Sequence, residues 1–361
     1  MDNILIYIPV LVYIFFVRRN KIGRLQTILI GFAGILPFIA WEIFSLLYYG
    51  FLFPNTAYIK LNTGITSLQY IMKGLQHIMY NLLTDPAVVI FPVIYGITGL
   101  KSEDIRHKLL SAGILLYIAY IIRIGGDFMG GRHFTVIYLL SAAGLISLRS
   151  RTNIRALLKV AVVCTMFAVT LGINIFGYYS TRKYNGESIL GGTTDERAAY
   201  IGATSLPRNI GKYLKDGKSS PYDHWSHDPI DELTKAGFRR GIIRFAPGML
   251  VYENSDLYLA DAFGLGDPLL SHLPAKPVKG IKWRIGHTVR AVPEGYAESV
   301  RNDTNEIVNP SLHKYYDVIR LITRGDIFSP ERIQAVIDIN LGRYDYLISQ
   351  YLQDTQEKTT E

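Results

Sequence analysis

Six apolar segments fill the first half of the chain and no comparable run occurs in the second, so the two halves answer to different solvents. The segments run roughly from Ile4 to Val17, Leu25 to Tyr49, Pro86 to Leu100, Leu109 to Ile124, Phe134 to Leu148 and Ala156 to Tyr178. The second and sixth reach the ~20 residues that a helix needs to cross a ~30 Å hydrocarbon core, and the others must borrow flanking residues or sit in a packed bundle. Charge divides at the same place. Up to Tyr179 the chain carries 15 Lys and Arg against 6 Asp and Glu, and beyond it 23 against 24. A basic excess confined to the apolar half fits the inside-facing loops of a membrane protein and argues against nucleic acid as a partner. The one cysteine, Cys164, lies in an apolar run, which excludes an intramolecular disulfide or a cysteine-based zinc site in the monomer and predicts a packing role.

Basic clusters orient the spans. Arg18, Arg19, Lys21 and Arg24 mark the loop after the first span as cytoplasmic, and Arg149, Arg151, Arg155 and Lys159 do the same before the sixth. Lys101, Arg106, His107 and Lys108 agree. The N-terminus, the segments Gly50 to Asp85 and Gly125 to His133, and everything after Tyr179 then fall outside. The expected architecture is an α-helical polytopic bundle of about six spans over residues 1–179, followed by a soluble extracytoplasmic α/β domain over 180–361. An outside N-terminus is also an expectation of upstream spans, missing or encoded as a separate N-terminal half.

Two outside loops carry more than linker chemistry. The first, Tyr48 to Lys60, is dense in aromatics with one amide and one cation. An interfacial aromatic belt accounts for it, and so does a site in which Asn55 and Lys60 face a lipid-linked phosphate while rings such as Tyr58 stack on a sugar. From Thr66 to Leu83 the pattern predicts an amphipathic helix along the interface, carrying Lys73 and His77. The second loop, Arg123 to Phe134, sets two glycine pairs around Asp127, just ahead of Arg132 and His133. Tight turning there brings a carboxylate, a guanidinium and an imidazole together, for catalysis or substrate binding. Asp127 suits a general base or metal ligand, and Arg132 a phosphate, with Arg123 and Lys73 as further cations on that side. An Asp127 to Arg132 ion pair closing a hairpin explains the same residues. Glu42, inside the second span, faces either a cavity or a partner span.

In the second half, helical periodicity runs over Ile230 to Ala236 after Asp228, over Ser311 to Ile322, and over Pro330 to Ile339 after Ser329. Strand-like runs cover Gly241 to Phe245, Met249 to Tyr252 and Leu257 to Ala260. The densest stretch runs from Asp261 through Asp267-Pro268 to His272, followed by Trp283-Arg284-Ile285-Gly286-His287. Asp261 and Asp267 with His272 and His287 match no standard metal spacing. A sugar-binding surface built on Trp283, Arg284, His287 and the carboxylates competes with a structural hydrogen-bond network.

These motifs, taken in order, resemble a known family. Tyr48-Tyr49-Gly50 with Phe53-Pro54-Asn55-Thr56-Ala57-Tyr58 and Lys60, then Gly126-Asp127-Phe128-Met129 with Gly131-Arg132, then Gly264 to Leu270, Trp283 to His287 and Pro293-Glu294-Gly295-Tyr296 are similar to stretches of the polyprenyl-phosphate-sugar-dependent cell-wall arabinofuranosyltransferases of the terminal β-1,2 type and their bacterial relatives. Some of those relatives carry the name of a flagellar motor control protein. The resemblance spans about Trp41 to Gly342 and implies a multi-span (GT-C) glycosyltransferase in the bacterial inner membrane. Such an enzyme passes a sugar, arabinofuranose among the candidates, from a polyprenyl phosphate to a cell-envelope glycan or lipopolysaccharide, with a divalent cation as a conceivable helper. It also implies an essential acidic residue in the first outside loop, between the first two spans, and this chain starts beyond that region. A non-catalytic envelope or motor-associated protein whose outer domain binds a glycan or protein is the alternative.

Overall fold

The computed structural model describes residues 2–61, 63–148, 153–179, 192–196, 206–217, 228–243, 247–276 and 283–360. Arg149, Arg151, Ser180 and Phe245, on which some sequence expectations rest, lie outside the described residues. The chain is mostly helical with little sheet. In order come α1 (Ile4–Ile22), α2 (Arg24–Tyr49), α3 (Asn55–Leu61), α4 (Ser67–Thr84), α5 (Pro86–Leu100), α6 (Ile105–Arg123), α7 (Thr135–Ser147) and α8 (Asn153–Tyr179). The later elements are α9 (Leu206–Asp216), α10 (Asp228–Lys235), β1 (Arg240–Ile243), α11 (Pro247–Glu253), β2 (Tyr258–Asp261), α12 (Tyr296–Asn302), α13 (Pro310–Arg324), α14 (Pro330–Asn340) and α15 (Asp345–Thr360).

Among the described residues, α2 and α6 are long and apolar enough to cross a membrane, and α4 with α5 would make a third only if a pair meeting at 113° counted as one span. At 1.5 Å per residue the 26 residues of α2 extend about 39 Å, more than a hydrocarbon core requires. Leu25, Ile28, Leu29, Phe32 and Ile35 on α2 are all exposed, which water would penalise and lipid would not. Ile4–Val17, Arg132–Ser147 and Val160–Gly172 are shorter apolar helical stretches. Cys164 on α8 is exposed, against the packing role expected of it. Glu42 is half-buried within α2.

The chain divides into two compact units. The first unit comprises Met1–Gly31, Ile65–Ser219 and Val278–Ile285. Its core is Ile6, Phe91, Tyr95, Ile114, Ile121, Phe134 and Ile137, contributed by α1, α5, α6, α7 and the turn that precedes α7. Helices approach closely through small residues: a side chain at Gly113 on α6 would collide with the Ile6 carbonyl of α1.

The second unit comprises Phe32–Gly64, Ser220–Pro277 and Gly286–Glu361. Phe51, Leu269, Leu270, Leu312, Tyr315, Ile319 and Ile322 form its core, so the first aromatic loop is partly an interior element. Two buried arginines fix that loop. Arg332 donates from Nη1 to Leu47 O at 2.7 Å, from Nη2 to Tyr48 O at 3.0 Å and from Nε to Ile322 O at 2.7 Å, placing a cation on the carbonyl end of α2, where the helix dipole favours it. Arg290 donates from Nη2 to Ile59 O at 2.8 Å and from Nη1 to Thr288 O at 2.8 Å. β1 and β2 form a parallel pair registered from Arg240 with Tyr258 to Ile243 with Asp261. The run Met249 to Tyr252, read from sequence as a strand, is instead part of α11. A parallel pair needs a crossover, and α11 supplies it, with Pro247 opening the helix at a position that needs no N–H donor. The cap expected at Ser329 is present at α14, where Ser329 Oγ accepts from Arg332 N, and α4 opens on a reciprocal capping box of Thr66 and Gln69.

Candidate functional site

In the first unit the loop leaving α6 is shaped by glycine. Gly125 and Gly126 hold φ of 85° and 70°, conformations that a side chain disfavours, and a Cβ at Gly126 would also collide with His77. The turn delivers Asp127 into the interior at 3% exposure. Its Oδ1 accepts from Phe128 N at 2.9 Å, and its Oδ2 meets Arg132 Nε at 2.5 Å and His133 Nε2 at 3.7 Å. The carboxylate, guanidinium and imidazole grouped by the sequence thus do come together. Their roles differ from a free general base: Asp127 is committed to the cation, whereas the Arg132 side chain remains 49% exposed and lies over the Phe128 ring at 5.6 Å.

Two further segments build the floor of this site. Lys73, His77 and Asn81 recur every four residues and are all buried, so they form one inward stripe of α4. Asn81 Oδ1 accepts from Gly131 N at 2.6 Å, its Nδ2 lies 3.2 Å from His77 Nε2, and Gly131 itself has φ of 77°. The opposite face of α4 carries Leu68, Met72, Leu75, Met79 and Leu82, all exposed. This helix is amphipathic with its polar side inward, the arrangement that suits a helix whose outer face meets lipid. Thr193 and Thr194 clamp the loop from the far side of α8 in sequence. Thr194 N donates to Phe128 O at 2.8 Å, Gly130 N donates to Thr194 O at 3.1 Å, and Thr193 Oγ1 lies 3.5 Å from His77 Nδ1.

The other predicted cations and rings are distributed. Lys73 Nζ lies 5.1 Å from the centroid of Trp283, and Tyr70 packs edge-on to the same ring at 5.3 Å. Arg284 Nη1 is 3.8 Å from Glu196. Arg123, at the end of α6, donates from Nη2 to Ser67 Oγ at 3.3 Å and is exposed.

The remaining sequence candidates fall in the second unit. Tyr58 packs on the His272 ring at 4.4 Å, His287 meets Phe263 edge-on at 5.8 Å, and Lys60 is exposed at the end of α3. Asp261 and Asp267 are turn formers rather than open carboxylates. Asp261 accepts from Phe263 N and Leu265 N, each at 2.9 Å. Asp267 accepts from Leu269 N at 2.9 Å, Leu270 N at 2.7 Å and the Tyr296 hydroxyl at 2.6 Å. Burial, opposed by those bonds, pushes the Asp267 carboxyl up to about 6. His272 Nδ1 stands 2.8 Å from Pro268 O, so these residues share a hydrogen-bond network. Among the described residues no three His, Cys, Asp or Glu side chains gather as a cation site, and the Asp127 carboxylate holds a guanidinium. Asn55 lines a pocket of about 450 Å³.

Comparison with protein-family models, curated proteins and solved structures returned no match.

Proposed function

We propose that the chain is a membrane glycosyltransferase, or the C-terminal portion of one, that takes a sugar from a polyprenyl-phosphate donor and passes it to an envelope glycan. The reading includes six spans in the bacterial inner membrane and an extracytoplasmic α/β domain. The observation that carries it is Arg132: a guanidinium oriented by a sealed carboxylate, half exposed, next to a helix whose apolar stripe turns outward. A half-exposed cation beside such a helix suits a phosphate at the head of a lipid.

In the proposed reaction the acceptor hydroxyl oxygen forms a bond to the anomeric carbon as the bond from that carbon to the phosphate oxygen breaks. The phosphate departs as an anion, which Arg132 stabilises, with Lys73 as a second cation in the same unit. The hydroxyl proton goes to His133, and Asp127 positions both partners. Transfer of radiolabelled sugar from a polyprenyl-phosphate donor in membranes tests the scheme. The wild type should transfer, with Arg132→Ala and His133→Gln each slowing transfer by roughly 100-fold. Transfer that both variants retain in full would contradict the assignment.

One observation favours the second reading, a non-catalytic envelope protein whose outer domain binds a glycan or protein. The carboxylates of Asp127, Asp261 and Asp267 all have partners, so none of these three is an open base. A wild type without transfer in any membrane preparation that still retains a glycan would establish it.

A further inference from the structure

The pocket in the second unit contains chemistry that no sequence motif announced. Three guanidinium groups, from Arg240, Arg320 and Arg324, share its lining with a single carboxylate, Asp303. Arg240 Nη2 stands 2.9 Å from Asp303 Oδ2, Arg324 also pairs with that carboxylate, and Arg320 Nη2 donates to the Asp303 carbonyl at 2.7 Å. Arg320 Nε is buried with no hydrogen-bond partner among the described residues. One carboxylate cannot neutralise three guanidinium groups, and a buried donor without an acceptor is an unfilled demand for one.

The backbone at Asp303 supports the same view. It is the one non-glycine residue at positive φ among the described residues, at 60°, and it closes the C-terminal end of α12. Glycine adopts this conformation without strain, and a negative side chain at a helix C-terminus opposes the dipole. What offsets both penalties is the arginine cluster that the carboxylate holds in place.

The walls supply a second kind of recognition. Tyr49, Tyr258 and Tyr316 line the pocket together with Asn55. Arg240 Cζ lies 5.5 Å from the Tyr258 centroid, and Tyr316 is held edge-on to Tyr296 at 5.3 Å. Aromatic faces rimmed with hydroxyls suit a sugar ring, and a volume of about 450 Å³ suits a ligand of that size. A lipid tail would find this lining too polar, and a bare anion would leave the tyrosines unused.

We infer that this pocket binds a saccharide carrying an anionic group, either a uronic acid or a sugar phosphate. This binding goes beyond the transferase reading and does not rest on it. An acidic sugar that binds to a chain without transfer would sink the enzyme and leave the pocket assigned.

Titration calorimetry on the full chain in detergent tests it with four probes: glucuronate, glucose 1-phosphate, methyl glucoside and inorganic phosphate. The expected result is that glucuronate or glucose 1-phosphate binds at least about tenfold more tightly than both methyl glucoside and inorganic phosphate. Which of the two charged sugars binds better distinguishes the sources of the charge. Arg240→Gln and Arg320→Gln should each weaken that binding about tenfold, whereas Arg239→Ala, at an exposed surface pair, leaves it unchanged. Because Arg320 also holds backbone, Arg240→Gln, which preserves the Arg324 to Asp303 pair, serves as the variant least able to disturb the fold. Absence of binding, equal binding of methyl glucoside, equal binding of inorganic phosphate, or charged-sugar binding insensitive to Arg240→Gln would each overturn the inference.

Discussion

The two units handle cationic side chains in opposite ways. In the first, Asp127 is buried and consumed by one guanidinium, so charge is balanced and Arg132 is aimed rather than left in surplus. In the second, three guanidinium groups gather on one carboxylate, and positive charge remains for something else. Arg332 and Arg290 show a third use within that second unit, in which the donors go to backbone carbonyls and the cation becomes scaffold. What separates a structural arginine from a binding one is therefore the fate of its donors, not its burial.

The comparison can be broken most forcefully at Gly126. With φ of 70° and His77 pressed against it, Gly126→Ala should cost about 4 kcal/mol and dismantle the Asp127 turn. Thermal unfolding in detergent, with charged-sugar binding as the second readout, checks that the loss is confined to the first unit's site. A wild-type melting temperature would refute the close approach.

Asp267 gives a smaller effect of a different kind. Its folded carboxyl is raised to about 6 from 3.8, chiefly by burial, so between those values the folded chain holds a proton that the unfolded chain has released. Its contribution is therefore greatest at acidic pH and is lost as pH rises through about 6, by roughly 3 kcal/mol in total. Stability followed from pH 4 to 7 should show this decline in the wild type and little of it in Asp267→Asn. An identical slope in both would locate the titration elsewhere.

Asp127→Asn comes next, at about 2 kcal/mol, since the amide can still accept from Phe128 N but leaves Arg132 without its counter-charge. A melting shift much below that would mean that Arg132 is held by something other than the carboxylate. The smallest effect should come from Arg239→Ala. Its pair with Asp256 at 2.5 Å is exposed on both sides, so less than about 0.5 kcal/mol is expected, measured in the same melts.

Local patterns carried much of this architecture in the sequence. The apolar segments coincide with helices, Ser329 announced the start of α14, and the glycine pairs around Asp127 foretold the ion pair with Arg132. Sites assembled from distant segments were not legible. Thr194 reaches Phe128 across 66 positions, and Arg240 and Arg324 meet Asp303 from separate elements, so no periodicity links them. The spacing of four in Lys73, His77 and Asn81 was available and would have identified the inward stripe of α4. Asp261 and Asp267 were visible as a motif, but whether their oxygens served turns or ligands depended on backbone N–H positions that composition does not encode. Met249 to Tyr252 shows the limit of short apolar runs, where strand and helix look alike until the parallel pairing of β1 with β2 demands a crossover.

The central claim, that the loop after α6 holds the phosphate of a lipid-linked donor, is tested most directly by photolabelling the full chain in membranes with a polyprenyl-phosphate analogue carrying a photoreactive group. The account predicts labelling that falls sharply in Arg132→Ala and persists in Arg240→Gln. Labelling that is indifferent to Arg132 would contradict it.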